Sequence, residues 1–250
     1  MNLQKIAIYY GYPSLVNDSA GNLEKAAAIF SAFDIVILGA NLEKEGNLLS
    51  PKHDDHDNTQ TLIGQAPQTA FFGYLNLGLS NSFPLSFEEI KTRIGLWKKM
   101  GVKGIFFDAA GFEFGVNRKR QNEAFKWVHK EDLRVFINAN KPEDIFEKTE
   151  GLAPVVQEGD LYLFEDFVFA NDQFQDADYI REKGDKIRHY KEKFQIKTFG
   201  TSTFGNLTAL PKQSLDFVFY CARLLNSDGI CITDPNHSAS DNSLFLYNLK

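Results

Sequence analysis

Short apolar runs alternate with amphipathic segments along almost the whole chain of 250 residues. The runs are typical of buried β-strands, whereas the segments between them carry apolar residues at helical spacing. Strands are predicted at 5–10, 34–40, 70–78, 104–111, 134–140, 160–169, 196–204 and 229–236. Helices are predicted at 22–33, in the second half of 51–66, and at 86–101, 117–133, 141–149, 176–194 and 211–226.

This alternation constrains the fold, because successive parallel strands must be joined by crossover helices. Eight such units in 250 residues match the size of a closed (β/α)8 barrel, the TIM barrel of the α/β class. An open doubly wound sheet is the alternative, but GYPSLVND stands at 11–18, where a dinucleotide-binding sheet would carry GxGxxG. No linker rich in Pro, Gly or Ser divides the chain, so we expect one domain over residues 1–250.

The composition argues against several kinds of partner. A formal net charge of −6 disfavours nucleic acid, since proteins that bind it usually carry a basic stripe. No apolar run approaches membrane-spanning length, and the opening MNLQKIAIYY is typical of a first strand rather than a secretory signal. We therefore expect a soluble protein without a signal peptide in this chain, and neither a membrane nor a nucleic acid as its partner.

Two acids occupy the positions where a TIM barrel carries its chemistry, the carboxyl ends of the strands. Asp108 ends the fourth predicted strand and Glu165 ends the sixth, so both would face the same mouth. Such a pair can hydrolyse a glycoside, one acid protonating the leaving oxygen while the other attacks or activates water. Side-chain alternation lets only one of Glu165 and Asp166 face the cleft, and Glu165 is favoured. Alternatively, Asp108 caps a helix or pairs with Arg118, and Glu165 is a solvated acid.

Other side chains near the strand ends are candidates for binding a ligand rich in hydroxyl groups, such as a sugar, although amides and hydroxyls also cap helices. These candidates are Tyr10, Tyr12, Asn76, Asn138, Asn140 and Asp234. Arg118 lies in the first turn of the helix after Asp108, where the positive end of the helix dipole repels a cation. That placement suggests that Arg118 steadies a cleft acid or contacts substrate; a solvated basic turn is the alternative.

The segment HDDHDNT at 53–59 is the other dense group of polar residues. Its HxxH spacing could bind a divalent metal, or His53 or His56 could reach over the mouth to substrate; solvated loops also collect such residues. Because no third metal ligand is identifiable, we expect neither a metal nor a cofactor and retain His53 as a substrate-binding candidate.

The segment GVKGIFFDAAGFEFG (101–115) resembles the fourth-strand motif of the endo-α-1,4-polygalactosaminidase family and its relatives, the spherulin-4-like glycosidases and the hydrolase domain of the Pel polysaccharide system. IAIYYGYPS, FDIVILG, FGYLNLG and FINAN match at other strands, so the resemblance spans nearly the whole chain. The segments NRKRQNEAFKWVH and HDDHDNT resemble a branch that also occurs in phage virion and bacterial surface proteins. That branch implies a larger virion or surface assembly as a partner.

The resemblance implies a (β/α)8 endo-glycosidase that cuts an extracellular, galactosamine-containing microbial exopolysaccharide. It assigns Asp108 as the nucleophile and Glu165 as the acid/base, and we expect a retaining mechanism. Ala109 and Ala110 stand where relatives often carry further acids, which puts a polycationic substrate in doubt. The alternative is a carbohydrate-binding or virion structural module that keeps the barrel without turnover.

Overall fold

Eight parallel strands close into a barrel in the computed structural model, which describes residues 3–46, 55–80, 82–170 and 173–248. The barrel strands are β1 (Gln4–Tyr9), β2 (Ile35–Leu38), β3 (Ala70–Asn76), β4 (Gly104–Asp108), β5 (Arg134–Asn138), β6 (Leu161–Phe164), β9 (Lys197–Thr203) and β10 (Gly229–Thr233). They follow one another around the barrel in this order, and β10 pairs back with β1. The predicted (β/α)8 barrel is confirmed, and the open sheet is excluded.

Helices connect successive strands on the outside of the barrel. They are α1 (Leu23–Phe30), α2 (His56–Gln65), α3 (Phe87–Met100), α4 (Arg118–Lys130), α5 (Glu143–Phe146), α6 (Ala177–Phe194) and α7 (Lys212–Leu224). Local signals in the sequence set their ends. Ser86 caps α3 by accepting a 3.1 Å hydrogen bond from the backbone of Glu89, and Gly101 ends α3 in the left-handed region at φ 92°.

Aromatic rings fill the barrel interior. Phe136 lies 5.3–5.4 Å from the rings of Phe72, Phe106 and Phe199, at steep interplanar angles that suit aromatic quadrupoles. Gly104 makes this packing possible, because a Cβ at that position would overlap the ring of Phe72. The interior is therefore filled with side chains, and a ligand must bind above them at the mouth.

All eight predicted strands run past the carboxyl ends of the observed strands, and two of these ends are set by residues in the left-handed region. The strand predicted at 104–111 ends at Asp108, because Ala109 adopts φ 51° and turns the chain. The strand predicted at 160–169 ends at Phe164, since Asp166 also lies at φ 51°. After this second turn a small antiparallel hairpin forms, with strands β7 (Phe169–Ala170) and β8 (Gln173–Phe174).

The segment after β10 packs across the seam where the barrel closes, and its described residues contain no helix. The hydroxyl of Tyr247 donates hydrogen bonds to the carbonyls of Ile6 in β1 and Ile230 in β10, at 3.0 and 2.7 Å. Asn17 and Leu244 exchange a further pair of hydrogen bonds. These contacts hold the segment after β10 against β1 and the loop that follows β1. Within the described ranges, no helix has the length and apolar character needed to span a membrane.

Candidate active site at the barrel mouth

Asp108 is held in place by a side chain of β3 and by the backbone of the residue that follows β4. Its Oδ2 accepts a 2.7 Å hydrogen bond from the hydroxyl of Tyr74, and its Oδ1 accepts one of 2.8 Å from the backbone of Ala109. Asn76 donates to the Tyr74 hydroxyl at 3.3 Å, so the side chains form a chain across two strands. Tyr74 and Asn76 share a face because strand side chains alternate. The carboxylate of Asp108 is therefore fixed in orientation at the mouth.

Glu165 follows β6, two strands around the barrel from Asp108. Asn138, at the end of the intervening β5, donates a 2.8 Å hydrogen bond to Oε1 of Glu165. The backbone carbonyl of Glu165 accepts one from Nζ of Lys183 in α6, at 3.1 Å. Side chain and backbone are thus both anchored, and the acid lies at the same end of the barrel as Asp108.

The surroundings of Glu165 favour its protonated form. Although the residue is exposed at the rim, the barrel wall displaces water from its carboxyl group, and this desolvation raises its pKa. The hydrogen bond from Asn138 opposes the rise, while the negative charges of Asp108 and Asp166 add to it. Because the charge of Asp108 acts on Glu165, the two acids belong to one electrostatic unit.

An aromatic wall lies beside Asp108 at the mouth and consists of Tyr10, Tyr74 and His237. The ring of Tyr10 lies 5.3 Å from each of the other two rings. Gly39 leaves room for it, since a Cβ there would overlap Tyr10. Burial raises the pKa of Tyr10 and lowers that of His237, so both rings are neutral near pH 7. A neutral aromatic surface suits the apolar face of a sugar ring.

Other predicted contact residues lie at the edge of the mouth. Tyr12 lines a cavity of about 400 Å³ together with Tyr10. Asn140 is exposed beyond β5, and its backbone donates to Glu113 at 3.3 Å. Asp234 accepts hydrogen bonds from the backbones of Asn236 and Ser238, which fold its own turn. His53 lies outside the described residues.

Arg118 does not reach the mouth, so its predicted contact with substrate or a cleft acid is wrong. Only 1% of the residue is exposed, and its guanidinium donates hydrogen bonds to the carbonyls of Ile145 and Glu147 at 2.7 Å and to the side chain of Gln121 at 2.6 Å. The first turn of α4 directs this side chain into the gap between α4 and α5. There it donates hydrogen bonds to backbone carbonyls at the end of a short helix, α5.

Sequence reasoning missed Tyr74, His237 and a buried ion pair beside the mouth. Tyr74 could have been found, because it lies two residues before Asn76 and must share its face. His237 follows β10 in an irregular turn, which no periodicity marks. Arg93 projects from α3 to pair with Glu43, in the loop after β2, and only the folded chain brings these two residues together.

A cavity of about 650 Å³ lies at the opposite, amino-terminal end of the barrel. Asp160 is buried there and accepts hydrogen bonds from the backbones of Val135 and Gln157 and from the ring of His129 at 2.9 Å. These bonds join β5 and β6, and the amino-terminal end of a TIM barrel serves stability rather than chemistry. We therefore assign this end a structural role. Across the described ranges, no three His, Cys, Asp or Glu residues are grouped so as to hold a metal ion.

No protein-family model matches the chain, and no curated protein matches it. Solved structures do match its fold. D-psicose 3-epimerase from Clostridium cellulolyticum H10, solved with D-tagatose, gives a TM-score of 0.54 at 12% identity, over 93% of this chain and 85% of that one. Xylanase 10B from Thermotoga maritima gives 0.50 at 14% identity, over 93% and 82%.

A third similar structure is the carboxyl transferase domain from Rhizobium etli pyruvate carboxylase, solved with pyruvate. It gives a TM-score of 0.60 at 8% identity, over 94% of this chain and 40% of that chain. At such identities the likeness shows the fold alone, a TIM barrel that supports many unrelated chemistries. Any assignment of function must therefore come from the site.

Proposed function

We propose that the protein is an endo-acting glycoside hydrolase in which Asp108 and Glu165 perform the reaction. The observation that carries this proposal is that two acids share one mouth in unlike environments. Asp108 accepts two hydrogen bonds, whereas desolvation raises the pKa of Glu165. A carboxyl group whose surroundings favour its protonated form suits the acid role, and a second one that hydrogen bonds hold in one orientation suits the nucleophile role.

In the proposed retaining reaction, Glu165 gives its proton to the glycosidic oxygen as the bond from that oxygen to the anomeric carbon breaks. Asp108 bonds to the anomeric carbon and forms a glycosyl-enzyme ester. Glu165, now a carboxylate, takes a proton from water, and the resulting hydroxide displaces Asp108. NMR of the first product tests the stereochemistry, because retention requires the same anomer as in the substrate; an inverted product would contradict this route.

Cavities on two sides of the mouth support endo action. One of about 700 Å³ lies by the loops after β2 and β3, and another of about 500 Å³ lies by the β7–β8 hairpin and the loop after β9. In the barrel order these positions are diametrically opposed. A chain bound across the mouth could occupy both cavities with the acids between them. The sequence resemblance further supports an amino-sugar-containing microbial exopolysaccharide as the substrate.

The experiment compares wild type, Asp108→Asn and Glu165→Gln on a panel of exopolysaccharides by counting new reducing ends. We expect product from wild type and a loss of about a hundredfold or more in each variant, since general acids alone contribute that much. Asp132→Asn and Glu158→Gln change acids at the other end of the barrel and serve as matched controls. Unchanged activity in both mouth variants would refute the site.

The rival function is a carbohydrate-binding or virion structural module on the same barrel. Binding of a polysaccharide by the wild type without any new reducing ends would favour it over the enzyme. The same panel therefore separates the two functions, provided that binding is measured alongside turnover.

A further inference from the structure

The cavity of about 700 Å³ beside Asp108 has features of a built binding site. It lies between the loop after β2, the loop after β3 and the first half of α3. Its lining includes the side chains of Asn41, Lys44, Tyr74, Asn76, Phe83 and Arg93. Tyr74 links the cavity to the acid pair, because this lining residue donates its hydroxyl hydrogen bond to Asp108. A group bound here would adjoin the scissile bond.

The cations of the cavity are each matched by a carboxylate. Arg93 is 6% exposed and its Nε bonds to Glu43, which is 1% exposed, while its Nη2 donates to Asn41 at 2.6 Å. Lys44 lies 3.6 Å from Glu89 at the rim. Within the described chain the lining therefore offers hydrogen-bonding groups without a net charge, so neither a carboxylate nor an ammonium group of a ligand finds an unmatched opposite charge.

Phe83 gives the rim an apolar surface. Its side chain is 89% exposed and lines the cavity together with Pro84 and Leu85. A single exposed apolar residue needs no explanation by itself. Here it stands next to amide and guanidinium donors, and this combination of an aromatic face with convergent polar groups is what a pyranose ring requires.

We propose that this cavity is a subsite for one uncharged pyranose unit, with Phe83 stacking on the ring and Arg93, Asn41 and Asn76 hydrogen-bonding to its substituents. An N-acetylated amino sugar or a plain hexose fits, and a free-amine or uronic acid unit does not. The inference rests on the proposed function for its substrate class, and it names Phe83 as a specificity-determining residue.

The test is calorimetric titration of Glu165→Gln protein, which prevents turnover, with N-acetylgalactosamine and N-acetylglucosamine tetrasaccharides and their de-N-acetylated counterparts. We expect an N-acetylated tetrasaccharide to bind, and Phe83→Ala to weaken it by about tenfold through loss of stacking. Phe83→Trp should restore binding. Tyr220→Ala, which removes an aromatic of α7 that is 59% exposed, is the matched control and should change nothing.

A second variant tests the charge balance. Glu89→Gln leaves Lys44 without its carboxylate, so a uronic-acid-containing tetrasaccharide should bind about threefold tighter than to the parent protein, a gain typical of one exposed charge. Tighter binding of the de-N-acetylated chains by the parent, or equal binding by Phe83→Ala, would overturn the subsite. Phe83-dependent binding without hydrolysis by the wild type would refute the enzyme and leave the subsite standing.

Discussion

Asn138 donates a 2.8 Å hydrogen bond from Nδ2 to Oε1 of Glu165, joining the end of β5 to the turn after β6. Asn138 is buried and the rest of its strand is fixed by pairing on both sides, so the donor is rigid. The bond favours the carboxylate of Glu165, in opposition to the desolvation that favours its acid form. The proton affinity of Glu165 is therefore set by a balance that one substitution can shift.

Asn138→Leu removes that donor while keeping similar volume. The pKa of Glu165 should rise further, because only the charge of Lys183 then opposes the influences that raise it. As a general acid must be protonated, the alkaline limb of the kcat/KM profile should move to higher pH. NMR titration of the Glu165 carboxyl carbon checks the direction without relying on turnover, and a limb or titration that moves to lower pH would contradict the assignment.

Tyr74→Phe deletes the hydroxyl that donates to Asp108. Hydrogen bonds to charged groups contribute about 1.5–3 kcal/mol, so we expect kcat to fall by about tenfold or more with a smaller change in KM. The control is Tyr247→Phe, whose buried hydroxyl bonds to two strand carbonyls far from the mouth. It should lower the melting temperature and leave kcat unchanged. Equal kcat for the two variants would remove Tyr74 from the mechanism.

Arg118→Lys separates the two roles considered for this residue. Lysine keeps the charge but cannot donate hydrogen bonds to Ile145, Glu147 and Gln121 at once. We expect the free energy of unfolding to fall by about 1–3 kcal/mol, the cost of leaving buried groups unpaired. Thermal denaturation measures this loss. A rise in KM with unchanged stability would instead support a contact between Arg118 and substrate.

The alternation of strands and helices predicted the barrel, because the spacing of apolar residues shows which face of each element is buried. Asp108 and Glu165 were predictable for the same reason, since a strand end in a closed barrel has only one mouth to face. Turns were less predictable. Ala109 and Asp166 adopt left-handed φ values that the sequence does not mark, so β4 and β6 end before the predicted positions.

Side-chain partners that are distant in sequence could not be predicted at all. The gap that accepts Arg118 is formed by α5, and the partner of Arg93 lies in another loop. Whether a cation lies in the mouth or under a helix depends on such packing. Periodicity locates faces, and only the assembled neighbours decide what each face contacts.

Glu165→Gln should stabilise the protein in a manner that depends on pH. The folded state raises the pKa of Glu165 above its ordinary value of 4.5, so the native state holds the proton more tightly than the unfolded chain does. Stability from this group is fully present below pH 4.5 and is lost as the pH rises through the higher folded pKa.

Glutamine at position 165 cannot ionise and still accepts the hydrogen bond from Asn138. The melting temperature of the variant should therefore exceed that of wild type at neutral pH and match it near pH 4, about where the free carboxyl group protonates. A gain that is the same at both pH values would mean that packing, rather than the charge of Glu165, is responsible.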